Sequence, residues 1–224
     1  MRTEIKEYGK LKYIIGYPAG YTEGEKYPIL LFCHGAGSRG DRIESLLGNP
    51  FFKAMKTYED FPFVTIVPQC HKHSWFDLME SLIALLCHVA GESYADPELV
   101  YVMGSSMGGY STWQLCCSVP EYIAAAVPIC GGGMTWCADR MKNVPIWAHH
   151  GALDDVVLLE ESEKMVNAVL AAGGEAKLTV YPDVVHASWI PVYNNPEVFK
   201  WLLSKKNTNA KAFVDKYREG DLYG

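Results

Sequence analysis

Ser106 stands in Gly104-Ser105-Ser106-Met107-Gly108, a serine with glycines two residues before and two after it. On a tight turn between a strand and a helix, this pattern presents the hydroxyl at the top of a sheet. The glycines are needed because the flanking backbone packs more closely than a Cβ permits. The apolar run 100–103 precedes the pattern and a helical stretch from Tyr110 follows it, so strand, turn and helix are expected in that order. The chemistry is attack of a hydroxyl on a carbonyl carbon, giving a covalent acyl intermediate. Ser105 is a nucleophile by type, but Ser106 alone has both glycines.

Such a serine needs a base, an acid and donors for the oxyanion. Histidines 149, 150 and 186 follow Ser106. Where a G-x-S-x-G turn works in this setting, the chain order is serine, acid, histidine. His149 and His150 precede the obvious acids, which leaves His186, in a loop after the apolar run 176–181. The acid is Asp154 or Asp155, and spacing leaves the two open. The run 29–33 ends in His34-Gly35-Ala36-Gly37-Ser38, a Gly-rich loop of the kind that supplies a second oxyanion N–H. Met107 and Ala36 are the expected donors, with Gly37 the alternative to Ala36, and His34 is expected to orient the loop backbone. Trp75, Trp189 and Gln69 are expected at the substrate, with Trp136 and Tyr110 near it. For the aromatic rings, packing of the loops is the competing reading; for Gln69, a hydrogen bond to a loop. Cys70-His71-Lys72-His73 has metal-ligand types, but no second pair stands at a suitable distance.

The elements that must position these groups are legible as alternation. Strands are expected at 11–17, 29–33, 64–68, 100–103, 125–129, 146–149 and 176–181. The middle ones are continuously apolar, as in parallel strands covered on both faces. Between them Leu78, Leu82, Leu85, Leu86 and Val89 form one helical stripe, and Met165, Val166, Val169 and Leu170 a second. Asn195-Pro196 opens a third helix burying Val198, Phe199, Leu202 and Leu203. The fold class is therefore α/β with a mainly parallel sheet. The stretch from Lys205 onward is more polar and lacks a strong period.

With 224 residues, 49% hydrophobic and 21% charged, one domain can bury a full core. The net charge of −6, with its lysines and arginines scattered, argues against nucleic acid or an anionic membrane as partner. There is no secretory pattern at the N-terminus and no membrane-length apolar run. Seven cysteines without even spacing read as reduced thiols, so the expected location is cytoplasmic.

Taken in order, HGAGSRGD, VPQC, GSSMGGYSTW, AAAVPICGGG, VPIWAHHGALDDVV and YPDVVHASW resemble the compact carboxylesterase/phospholipase-type α/β-hydrolases. These include polyhydroxybutyrate-depolymerase-like and feruloyl-esterase-like proteins, some described as predicted peptidases. The resemblance implies an α/β-hydrolase domain, taken over 1–206 with a polar tail at 207–224. It also implies a Ser106–Asp154–His186 triad with Ala36 and Met107 as oxyanion donors, and neither metal nor organic cofactor. It is the resemblance that selects Asp154 over Asp155. Ser38 departs from it, since relatives commonly carry an acid there. Residues 130–143 are too few for a cap domain, so an open site is expected. The expected activity is hydrolysis of small soluble carboxylic esters, aromatic acyl or acetylated sugar esters among them. A peptidase or amidase, or a non-catalytic binding protein on the same fold, are the alternatives.

Overall fold

The computed structural model describes residues 2–218. The chain opens on a hairpin, β1 (Arg2–Tyr8) and β2 (Leu11–Tyr17), whose turn holds Gly9 at φ +57. β3 (Tyr27–Cys33) leads through the Gly-rich loop to α1 (Pro50–Met55), capped by Asn49, which accepts the Phe51 N–H. β4 (Val64–Pro68), α2 (Met79–Ala90), β5 (Ala95–Ser105), α3 (Met107–Ser118) and β6 (Ala125–Ile129) follow. The remainder is β7 (Ile146–Gly151), α4 (Glu160–Ala171), β8 (Ala176–Tyr181), α5 (Trp189–Tyr193), α6 (Pro196–Leu203) and α7 (Ala210–Arg218).

All eight strands form one sheet in the order β1-β2-β4-β3-β5-β6-β7-β8. β1 and β2 run antiparallel and the strands from β4 to β8 are parallel. Alternation along each parallel strand divides its side chains between two cores. Ile29, Leu31 and Cys33 of β3 join Leu82 and Leu86 of α2, Trp113 of α3 and Met165 of α4. Leu30 and Phe32 join Phe51 and Phe52 of α1, Tyr193 of α5 and Phe199 of α6 on the opposite face. Both faces are dry, which is why these strands carry no polar alternation. Each such side chain contributes about 1.5–3 kcal/mol on burial.

The expected strands at 11–17, 64–68, 125–129 and 176–181 have the observed bounds, while the one at 100–103 extends to β5 and the one at 146–149 gains two residues. β1 was not expected, because its side chains are mostly exposed on both faces and leave no hydrophobic period to read. The stretch expected to be a polar tail carries α7, which buries Ala210 and Val214. Two residues spaced i, i+4 make too short a stripe to stand out from a polar sequence. Tyr122 Oη donates to Phe213 O at 3.3 Å and the Asn207 amide to Glu121 O at 2.7 Å, so α7 is docked on the turn after α3. Residues 219–224 of that expected tail lie outside the described residues. Among the described residues, no helix is long and apolar enough to cross a membrane.

Because β3, β5, β6, β7 and β8 are parallel, their C-terminal ends lie along one edge of the sheet. The loops leaving that edge carry His34–Ser38, Ser106, Cys130, Asp154 and His186.

Candidate active site

β5 ends at Ser105 and α3 begins at Met107, so the chain reverses on Ser106 alone. Ser106 takes φ +56 and ψ −119, a conformation that L residues avoid. It is held there by its N–H donating to Ile129 O at 2.9 Å and its carbonyl accepting the Tyr110 N–H at 3.1 Å. A Cβ on Gly108 would run into Cys33 O, and one on Gly104 into Gly108 O. The two glycines thus let the turn sit directly on the end of β3.

His186 comes from the loop after β8. Its Nε2 lies 2.9 Å from Ser106 Oγ, and its Nδ1 lies 2.8 Å from Asp154 Oδ2 and 3.0 Å from Oδ1. Asp154, from the loop after β7, is buried, and its Oδ1 accepts the N–H groups of Val156 at 3.0 Å and Val157 at 2.9 Å. Burial pushes this carboxyl up, but the hydrogen bonds from His186, Val157 and Val156 together outweigh it and hold it below its ordinary value. It is a carboxylate throughout the neutral range. Asp155 is exposed and makes no such contact. The ambiguity that spacing left between the two aspartates is therefore decided by burial, which the sequence does not display.

The Gly-rich loop rises against Ser106: a Cβ placed on Gly35 would lie 3.5 Å from Ser106 Cβ. Ala36 opens a 3-10 turn (Ala36–Ser38) and Met107 opens α3. First helical residues have N–H groups without an intrahelical acceptor, and both stand beside Ser106. The loop is fixed from behind. His34 Nδ1–H donates to Gly35 O at 2.8 Å, and its Nε2 accepts the Cys70 N–H at 3.1 Å. Arg39 Nε donates to Ala36 O at 3.0 Å.

Two expected substrate contacts are corrected here. Trp75 is wholly buried in the core and donates its indole N–H to His34 O at 2.9 Å. Gln69 is likewise buried and donates to Ser38 O at 2.8 Å. Both brace the loop from its rear, where a bulky ring with one N–H and a side-chain amide can satisfy otherwise unpaired carbonyls. Trp136 is 77% exposed on a separate 3-10 segment (Thr135–Met141). Trp189 does line the cleft above Ser106, its ring edge-on to His186 at 5.3 Å between centroids. The cleft holds about 270 Å³ and is also walled by Pro50, Val156 and Tyr193, with Ser38 and Asn49 as its polar side groups. Of these, Pro50, Val156, Tyr193 and Asn49 went unmarked by the sequence reading, whereas Trp189 was expected. The Asn49-Pro50 helix start was the one signal available, since it fixes α1 beside the loop. Cys130 (φ +40) sits beneath the site with its Sγ within 4.8 Å of Asp154 and His186 ligand atoms. Burial pushes its thiol up to about 12, so it stays protonated.

Burial also holds two neutral histidines. It lowers His34 to about 4, against a hydrogen bond to Gly35 that raises it, and lowers His149 to about 3. Unfolding returns both toward their ordinary value near 6.5. Between those limits the unfolded chain binds more protons, so stability is full above about pH 6.5 and is lost as pH falls toward 4 and then 3. The thermal midpoint is expected to be level from pH 7 to 8 and to drop steadily below pH 6.5 in calorimetric scans. A midpoint level down to pH 4 would contradict it.

A serine–histidine–carboxylate relay on a strand–turn–helix, beside a Gly-rich loop on a mainly parallel sheet, defines an α/β-hydrolase. The profile of the dienelactone hydrolase family matches residues 64–212, and the chain belongs to that family. Feruloyl esterase D of Neurospora crassa is 24% identical over 158 residues, covering 65% of this chain and 54% of that protein. The chain thus spans about half the length of this curated relative. Among solved structures, a thermostable esterase superposes with a TM-score of 0.75 at 29% identity, over 92% of this chain and 63% of that one. Est1E from Butyrivibrio proteoclasticus gives 0.68 at 14% identity over 91% and 99%, a likeness of fold.

Proposed function

We propose that the protein is a serine carboxylesterase acting on small, uncharged carboxylic esters through Ser106, His186 and Asp154. The observation that carries this reading is the unbroken hydrogen-bond relay from Ser106 Oγ through His186 to Asp154 at the floor of an open, largely apolar cleft. His186 Nε2 takes the Ser106 proton as Oγ attacks the ester carbonyl. The oxyanion forms between the N–H groups of Ala36 and Met107. His186, now an imidazolium balanced by Asp154, gives the proton to the leaving alkoxide. Water then enters, loses a proton to His186 as it attacks the acyl carbon, and the acid leaves as His186 returns that proton to Ser106 Oγ.

Among the described residues, the cleft lining contains no lysine, arginine, aspartate or glutamate, which favours a neutral acyl group. Trp189, Pro50, Val156 and Tyr193 suit a flat apolar one, such as a cinnamoyl ring. The names of the relatives, esterase and feruloyl esterase, support the same class. Seven free thiols fit a reducing, cytoplasmic setting.

The test is a comparison of p-nitrophenyl acetate and butyrate, methyl ferulate and a peptide p-nitroanilide. Turnover of the esters, with methyl ferulate accepted and the anilide at least about 100-fold slower in kcat/KM, is the expected result. Faster turnover of the anilide would replace the esterase by a peptidase. No turnover at all, with no labelling of Ser106 by a fluorophosphonate, would leave a binding protein.

A further inference from the structure

The reaction scheme leaves idle a second histidine that stands behind the acid. His150, the penultimate residue of β7, is wholly buried. Its Nε2 lies 2.8 Å from Val157 O and 3.3 Å from Asp154 Oδ2. Both neighbours are acceptors, so Nε2 carries a proton: the hydrogen bond goes to Val157 O, and the positive edge of the ring faces Oδ2. On the other side Nδ1 meets Ser162 Oγ at 2.7 Å, and the same hydroxyl lies 2.8 Å from Gly131 O. Ser162 is itself buried, in the first turn of α4, and Gly131 follows Cys130 at the end of β6. One imidazole therefore links the end of β7, the acid loop, α4 and the loop after β6.

The Val157 peptide is the key to what this does. Its N–H holds Asp154 Oδ1 while its carbonyl is held by His150. With the Val156 N–H also on Oδ1 and His186 Nδ1–H on Oδ2, the carboxylate has one side still to be faced, and His150 faces it. A buried polar ring is costly where an aliphatic side chain would pack as well, unless its contacts serve some end. We propose that His150 is a positioning residue of the triad: anchored on Ser162, it fixes the Val157 peptide and backs Asp154 so that the carboxylate meets His186 Nδ1. This rests on the esterase reading of Ser106, His186 and Asp154.

The experiment compares His150→Leu, His150→Gln and Ser162→Ala with the wild type and Ser106→Ala, reading kcat and KM on p-nitrophenyl acetate and the thermal midpoint of each. A misplacement of the acid by about 1 Å is worth roughly 100-fold in rate. His150→Leu is accordingly expected to lower kcat about 100-fold with KM nearly unchanged. His150→Gln, whose amide can place an N–H near the Nε2 position, is expected to recover about 10-fold of that loss. Ser162→Ala, which keeps the ring and removes its anchor, is expected to lower kcat about 10-fold. Leu and Gln variants equally depressed, in step with their thermal midpoints, would show that the ring merely packs. A folded His150→Leu protein with wild-type kcat would overturn the proposal, and if that variant does not fold, wild-type kcat in Ser162→Ala would do so. Ester turnover surviving in Ser106→Ala would remove the triad reading itself. A dead Ser106→Ala beside a fully active His150→Leu would remove this inference alone.

Discussion

Replacing Ser106 by alanine is expected to lower ester kcat by about 10⁶-fold while leaving the protein folded. The size follows from what the hydroxyl does: without Oγ there is no acyl-enzyme, and His186 has nothing to deprotonate in the cleft. Loss of the nucleophile should therefore cost about as much as loss of the whole relay. Glycine at the same place tests the conformation separately from the chemistry. At φ +56 and ψ −119, serine and alanine both bear the strain of a Cβ, and glycine does not. Ser106→Gly is expected to be as inactive as Ser106→Ala and more stable than it by about 1–3 kcal/mol. For a domain of this size each kcal/mol is about 2–4 °C in the thermal midpoint, so paired melting curves read the difference. Equal midpoints for the two variants would mean that the turn holds no strain.

Asp154→Asn is expected to lower kcat by about 10⁴-fold, and Asp155→Asn to change it less than twofold. The geometry gives the reason. Val156 and Val157 both donate N–H groups to Oδ1. An asparagine must turn its carbonyl oxygen to those donors, which aims its NH₂ at His186 Nδ1. The imidazole must then accept at Nδ1 and carry its proton on Nε2, where it cannot take the one from Ser106. The defect is one of tautomer rather than of shape, so KM should change little. Single-turnover kinetics with both variants check it. A large loss in Asp155→Asn would place the acid one residue later than the structure does.

How much of this could be read from the residues alone depends on what each depends on. The parallel strands were legible because two dry faces demand unbroken apolar runs, as in Ile29–Cys33 and Ala125–Ile129. The approach of His186 to Ser106 was legible because the chemistry proposed for them constrains their neighbours and their order along the chain. The pairing of Asp154 with His186 was not legible in the spacing, because adjacent aspartates differ only in which way the loop turns them, and the family resemblance alone pointed to Asp154. Trp75 and Gln69 were misread for a related reason. A tryptophan or glutamine near a site looks the same in sequence whether it faces the substrate or holds the loop from behind. Their partners, His34 O and Ser38 O, are backbone atoms and leave no mark in composition.

β1 is the terminal strand of the sheet, so one of its sides offers backbone donors and acceptors to any passing chain. It carries Arg2, Glu4, Lys6 and Glu7 within seven residues, all four exposed. A second sheet attempting to add there would have to bring its own strand against a row of hydrated charges of both signs. The lack of a hydrophobic stripe that concealed β1 thus disfavours the addition of a further strand at this edge of the sheet.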